Sequence, residues 1–169
     1  KYFGFFQNPD IFDCYQNISP VLTALKSKDH GLFIESNSPG LINQIEALNA
    51  FSKSNPFLLA LPVANLEGVE ESFNSANSDL KHVEKIVKTV SKNNIIFGFV
   101  IKPILPFIND DIDHFDAFLN KLIQLKPAFI YPTFSVHFDS RKLNNYYAYI
   151  DRNMPELKSK IFDVYGKKN

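Results

Sequence analysis

The chain has 169 residues, with 18 Lys plus Arg balancing 18 Asp plus Glu, 45% hydrophobic residues and a single cysteine. That length suffices for one proper core, the absence of a basic excess gives no support to a nucleic-acid surface, and one thiol excludes an internal disulfide and suits a reducing, cytoplasmic compartment. No stretch approaches the ~20 apolar residues of a membrane-spanning helix, and the opening KYFGFF lacks the layout of a secretory leader.

Strand-like and helix-like segments alternate along the chain. Tyr2 to Phe6 is short, aromatic and β-prone, and Ile18, Val21, Leu22 and Leu25 follow at helical spacing. Gly31 to Glu35 reads as the second strand, with Leu41, Ile42, Ile45 and Leu48 as the stripe of a helix opened near Pro39. Pro56 to Val63 is the third strand, followed by the helical stripe Val83, Ile86, Val87 and Val90. Ile95 to Ile101 is continuously apolar apart from Gly98, as a parallel strand covered on both faces is. Pro103 and Pro106 then withhold amide donors and stop it, and Asn109 or Asp110 is placed to cap a helix carrying Phe115, Phe118, Leu119 and Leu122. Ala128 to Tyr131 is a fifth strand, Leu143, Tyr146, Tyr147 and Ile150 a further helical stripe, and Pro155 opens a last helix through Tyr165.

Strict βα alternation predicts an α/β protein with a parallel sheet and right-handed crossovers, in one domain over residues 1–169. Periodicity leaves open whether that sheet is doubly wound or part of a barrel. In either case the loops after the strands are the place for chemistry. Neither GxGxxG nor GxxxxGK[ST] occurs, so no phosphate-binding loop is predicted.

The polar residues at the strand ends each carry two readings. Glu35, Ser36 and Asn37 offer directional hydrogen bonds to a ligand, or form a polar turn in which Ser38 caps the next helix. Asn65 and Glu67 follow the third strand, where a solvated loop is the plainer reading. Asp110, Asp111 and Asp113 have the oxygen chemistry of a hard-cation site, but acids in a first helical turn also serve the macrodipole and the free amides. His137 and Asp139 form a candidate acid–base pair with no third orienting group. Cys14 has no Cys or His at ligand spacing and reads as a half-buried structural thiol, and Asn17-Ile18-Ser19 is a chance match to a glycosylation acceptor.

Several of these segments resemble a known family. Pro103-Ile104-Leu105-Pro106-Phe107-Ile108-Asn109-Asp110 is similar to a Pro-Ile-Ile-Pro-Gly-x-Asn-Asp loop, with Phe107 in place of the glycine. Gly4-Phe5-Phe6-Gln7-Asn8-Pro9-Asp10 resembles Gly-x-x-x-Asp-Pro-Tyr, and Phe33-Ile34-Glu35-Ser36-Asn37-Ser38-Pro39 resembles Ile-x-Thr-Lys-Ser-Pro. Leu61 to Glu67 resembles a strand end that is usually richer in Ser and Thr. Tyr146-Tyr147, Ile150-Asp151, Met154-Pro155-Glu156-Leu157-Lys158 and Tyr165-Gly166 resemble a Tyr-Tyr-x-x-Leu-Asp, Phe-Pro-x-Leu-Lys and Tyr-Gly tail. In this colinear order they resemble radical S-adenosylmethionine (radical SAM) proteins of the spore photoproduct lyase-like, or DNA repair photolyase-like, group.

The resemblance implies a partial (βα)6 TIM-type barrel, truncated here to five or six units and lacking the first strand and the cysteine loop that binds a 4Fe–4S cluster. Cluster and SAM then belong to a longer parent, a lyase-like enzyme of open substrate, and this chain alone is expected to be inactive. The positions implied to face the cofactor are Ser36, Asn37, Asn65, His82 and Lys102, with His82 standing where the family usually places a carboxylate-binding arginine. An imidazole cannot make the two-pronged contact of a guanidinium. Departures at Asn8, Asp10, Pro62, His82, Phe107 and Asp139 cluster near that site, which keeps alive a catalytically silent binding domain on the same scaffold. A third possibility is a metal-independent α/β enzyme using Glu35 and Asp110.

Overall fold

The computed structural model describes residues 1–6, 10–65, 80–105, 107–133 and 140–165. The expected residues Asn8, Glu67, Pro106, His137 and Asp139 lie outside them. Five strands, β1 (Tyr2–Phe5), β2 (Gly31–Glu35), β3 (Phe57–Val63), β4 (Phe97–Ile101) and β5 (Ile130–Pro132), form one sheet in the order β1-β2-β3-β4-β5, every pair parallel. The described strands therefore lack the order reversal of a doubly wound sheet, and their sequence is compatible with a segment of a (βα) barrel.

Helices α1 (Ile11–Cys14) and α2 (Ser19–Lys26) connect β1 to β2, and α3 (Gly40–Asn43) and α4 (Ile45–Ser52) connect β2 to β3. The remaining helices are α5 (Leu80–Lys92), α6 (Ile112–Gln124), α7 (Ser140–Asn153) and α8 (Lys158–Tyr165), with a 3-10 turn at Pro155–Leu157 between the last two. The single helix expected near Pro39 is broken at Gln44. There the side chain is drawn into tertiary bonds, its Nε2 donating to the Gln16 carbonyl at 2.6 Å and its Oε1 accepting from Ile18 N at 3.4 Å.

Period-two alternation sorts the strand residues onto two faces. Leu32, Ile34, Leu59, Leu61, Val63, Phe97, Phe99 and Ile101 share the main core with Leu22 and Leu25 of α2, Leu48 and Phe51 of α4, Val83, Ile86, Val87 and Val90 of α5, and Phe118 and Leu122 of α6. The helices thus cover one face; on the other, Gly98 lies under the Phe129 ring and Val100 is also buried, so β4 is covered on both faces and reads as continuously apolar. By register, the other face carries Gly31, Phe33 and Glu35 of β2, Leu58, Ala60 and Pro62 of β3, and Gly98 and Val100 of β4. Aromatic rings lie over its glycines: a Cβ at Gly31 would meet Tyr2 Cε1 at 2.5 Å, and one at Gly98 would meet Phe129 Cδ1 at 2.3 Å.

A second, smaller cluster joins Ala64 and Leu105, from the chain just beyond β3 and β4, to Tyr149 and Ile150 of α7 and Ile161 of α8. The last helices are thereby packed at the C-terminal ends of the central strands.

Candidate functional site

In parallel strands the residues following each C-terminus share one rim. Ser36, Asn65 and Lys102 lie beyond β2, β3 and β4, and Pro132 ends β5, all on that rim as expected. Asn65 is half-buried and lies just outside the strand.

The rim is ordered by a continuous polar network between the first two βα units. Asp10 caps α1, its Oδ1 accepting from Phe12 N at 3.0 Å and from Ser36 Oγ at 3.0 Å. Ser36 Oγ in turn accepts from Ser38 N at 3.1 Å. Ser38 Oγ donates to Asp13 Oδ1 at 2.5 Å and accepts from Gly40 N at 3.1 Å; the cap position of α3 is Pro39, without a side-chain bond, so Ser38, read as the cap from sequence, instead braces the turn one residue before it. Asn37 Nδ2 donates to the Pro62 carbonyl at 3.0 Å, tying this turn to β3. His82, half-buried on α5, reaches the Asn37 carbonyl with Nε2 at 2.9 Å; a carbonyl only accepts, so Nε2 carries the proton.

Ser36, Asn37 and Ser38 are buried and occupied in holding the turn. Three of the positions expected to face a cofactor, Ser36, Asn37 and His82, are thus brought together, and the bonds described here are internal. Lys102 is different. Its ammonium forms an ion pair with Glu35 Oε1, the side chains being 31% and 10% exposed respectively, and Glu35 Oε1 accepts from no other described donor.

Asp10, a family departure whose role the sequence did not disclose, is the electrostatic centre of the rim. Its Oδ2 is buried with no hydrogen-bond partner among the described residues. Burial pushes the Asp10 carboxyl above the usual carboxylate range; the Ser36 and Phe12 hydrogen bonds oppose that rise, and the nearby Asp13 and Glu35 charges add to it. The available sequence signal was an Asp directly before Ile11-Phe12, an N-cap pattern.

The loop after β4 is stiff for more reasons than its prolines. Leu105 N donates to Asn109 Oδ1 at 2.6 Å and Asn109 Nδ2 donates to the Pro103 carbonyl at 3.0 Å, so Asn109 closes the loop. Asp110 Oδ1 accepts from Phe107 N at 2.8 Å, fixing Phe107 at φ 65°, the left-handed conformation for which glycine is usual. The helix cap falls to Asp111, whose Oδ1 accepts from His114 N at 3.1 Å. Asp110, Asp111 and Asp113 have these local roles or lie exposed, and no group of three or more His, Cys, Asp or Glu able to hold a metal occurs among the described residues.

Cys14 is exposed, where the sequence suggested a half-buried thiol; it closes a four-residue helix whose buried side chains are Ile11 and Phe12. No described helix is long and apolar enough to cross a membrane. The geometry defines an α/β protein with an all-parallel sheet and a polar C-terminal rim. No family model, curated protein or solved structure matches the chain.

Proposed function

We propose that this chain is the cofactor- and substrate-facing part of a cytoplasmic radical SAM iron–sulfur enzyme resembling the spore photoproduct lyase-like group, built on a (βα) barrel segment. The observation that supports it is the gathering of Asp10, Glu35, Ser36, Asn37, His82 and Lys102 at the C-terminal rim of a sequentially ordered parallel sheet. The one cysteine of the chain does not fit a 4Fe–4S cluster, which needs several thiolates, so no step is assigned to a cluster on these residues.

SAM fits the rim in part. Asp10 Oδ2, a buried acceptor without a donor among the described residues, and Glu35 suit an ammonium or ribose hydroxyls, and Lys102 suits a carboxylate. Bound beside a reduced cluster, SAM supplies hydrogen-abstracting radical chemistry, and the protein supplies position and dryness. Here Ser36, Asn37 and His82 set the turn, Lys102 and Glu35 orient polar groups above β3, and the Asn109-clamped loop is a stiff wall.

A second reading, a silent binding domain on the same scaffold, is favoured by one observation: Ser36 Oγ, Asn37 Nδ2 and His82 Nε2 all bond within the protein. Calorimetry with SAM on a longer protein carrying an intact cluster separates the two. Binding that weakens at least tenfold in Lys102→Met and Glu35→Gln supports the enzyme, and no binding favours the silent domain. The isolated chain, incubated anaerobically with iron and sulfide, should give neither cluster absorbance nor SAM cleavage.

A further inference from the structure

Helices α2, α4, α5 and α6 all contribute side chains to the main core, whereas no described residue of α7 or α8 does. Tyr149 and Ile150 of α7 and Ile161 of α8 build the smaller cluster instead, and its share from the body of the fold is Ala64, Leu105 and the partly buried Ile108. The backbone itself divides the two cores. Val63 belongs to the first and Ala64 to the second, and Ile104 and Leu105 are split in the same way.

The α7–α8 unit is braced from within. Met154 N donates to the Ile150 carbonyl at 2.9 Å, Leu157 N donates to the Met154 carbonyl at 2.9 Å, and Lys158 Nζ pairs with Asp151 Oδ1 at 2.6 Å across the turn between the helices. A unit that carries its own bracing and meets the body through a few apolar side chains opens at a lower free energy than the core it rests on. Its seat adjoins the candidate site. Ala64 directly precedes Asn65, and Leu105 follows the segment of Lys102, Pro103 and Ile104 that leaves β4.

We infer that α7–α8 is a lid. It parts from Ala64 and Leu105 as a unit while the parallel sheet and the helices on its face stay folded, and it thereby uncovers the rim around Asn65 and Lys102. Motions of this kind admit a ligand and then exclude water from it. That the uncovered rim takes a cofactor rests on the proposed function; the opening of the lid does not.

Thiol labelling in a Cys14→Ser background, with no ligand added, tests the lid separately from the cofactor reading. Ala64→Cys puts a small apolar thiol beneath the lid, and Val83→Cys puts one in the main core. Modification by iodoacetamide is slow beside reclosing, so its rate follows the open population. The thiol of Ala64→Cys should react at least tenfold faster than that of Val83→Cys. Adding Ile161→Ala, which trims the lid's side of the cluster, should speed Ala64→Cys by roughly tenfold or more. Adding Val90→Ala, which weakens only the main core, should speed Val83→Cys by roughly tenfold and leave Ala64→Cys unchanged. Equal rates at the two thiols, or an equal acceleration of both by Val90→Ala, would mean that only global unfolding exposes Ala64 and would overturn the inference. Leu105→Cys reports on the same contact if Ala64→Cys fails to fold.

Discussion

Lys102, just beyond β4, reaches across the intervening strand β3 to pair with Glu35 at the end of β2. The register explains the clearance. Glu35 lies beside Ala60 of β3, whose methyl group leaves the strand surface low beside the carboxylate.

Because Glu35 is nearly buried and Lys102 is not, the two halves of the pair are unequal. Lys102→Met should destabilise the protein by about 1–3 kcal/mol by leaving the carboxylate desolvated, a range already reduced for the solvent around the lysine. The double variant Glu35→Gln/Lys102→Met should cost less than the sum of the singles. Urea denaturation of the four proteins measures both; additive losses would mean that the pair is not coupled.

Asp10 gives a pH dependence of defined sign. Its folded-state carboxyl titrates above 3.8, so the folded protein holds that proton more tightly than the unfolded chain. This contribution is fully present below pH 3.8 and is lost as pH rises through the folded-state value. Asp10→Asn keeps an oxygen for Phe12 N and Ser36 Oγ but carries no charge. Stability relative to wild type should therefore shift in favour of Asp10→Asn as pH rises through that window, as chemical denaturation at stepped pH would record. A constant difference would refute the assignment.

Asp111 has the opposite sign. The His114 amide bond is the first cause that lowers its carboxyl, so its contribution is present above pH 3.8 and fades as pH falls through the lower folded-state value. Asp111→Ala should loosen the start of α6, whereas Asp111→Asn, still a capping residue, should retain most of its order. Hydrogen exchange at the amides of residues 113–115 follows this directly.

Gly98 leaves its neighbour no room. Its absent Cβ would stand 2.3–2.5 Å from three atoms of the Phe129 ring, so Gly98→Ala should cost about 1–3 kcal/mol, and Phe129→Leu in the same chain should recover part of it. Thermal melts of the single and double variants test the pairing; an equal loss in both would place the strain elsewhere.

The backbone plan was legible because burial imposes periodicity. The stripe Val83, Ile86, Val87 and Val90 could face only a core, and Phe97–Ile101 could belong only to a covered strand. Boundaries shifted where side-chain bonds intervened. Gln44 broke a predicted helix through its tertiary amide contacts, and Asn109, read as a cap, serves the loop and leaves capping to Asp111. The rim was legible as a place but not as a network. Ser36, Asn37 and His82 carry the right chemistry for a ligand in any sequence reading; that the bonds described above run to Asp10, Pro62 and Asn37 depends on positions 26, 25 and 45 residues away. The Glu35–Lys102 pair spans 67 residues and has no local signature.

The clamp at Asn109 has an implication for substitution. It presents an oxygen to an amide and a nitrogen to a carbonyl at once, so its two ends have opposite polarity. Aspartate has the same outline but an acceptor at both ends, and leucine has the outline with neither. The position therefore selects for polarity rather than size, and the nearest isostere by shape is among the poorest replacements by chemistry.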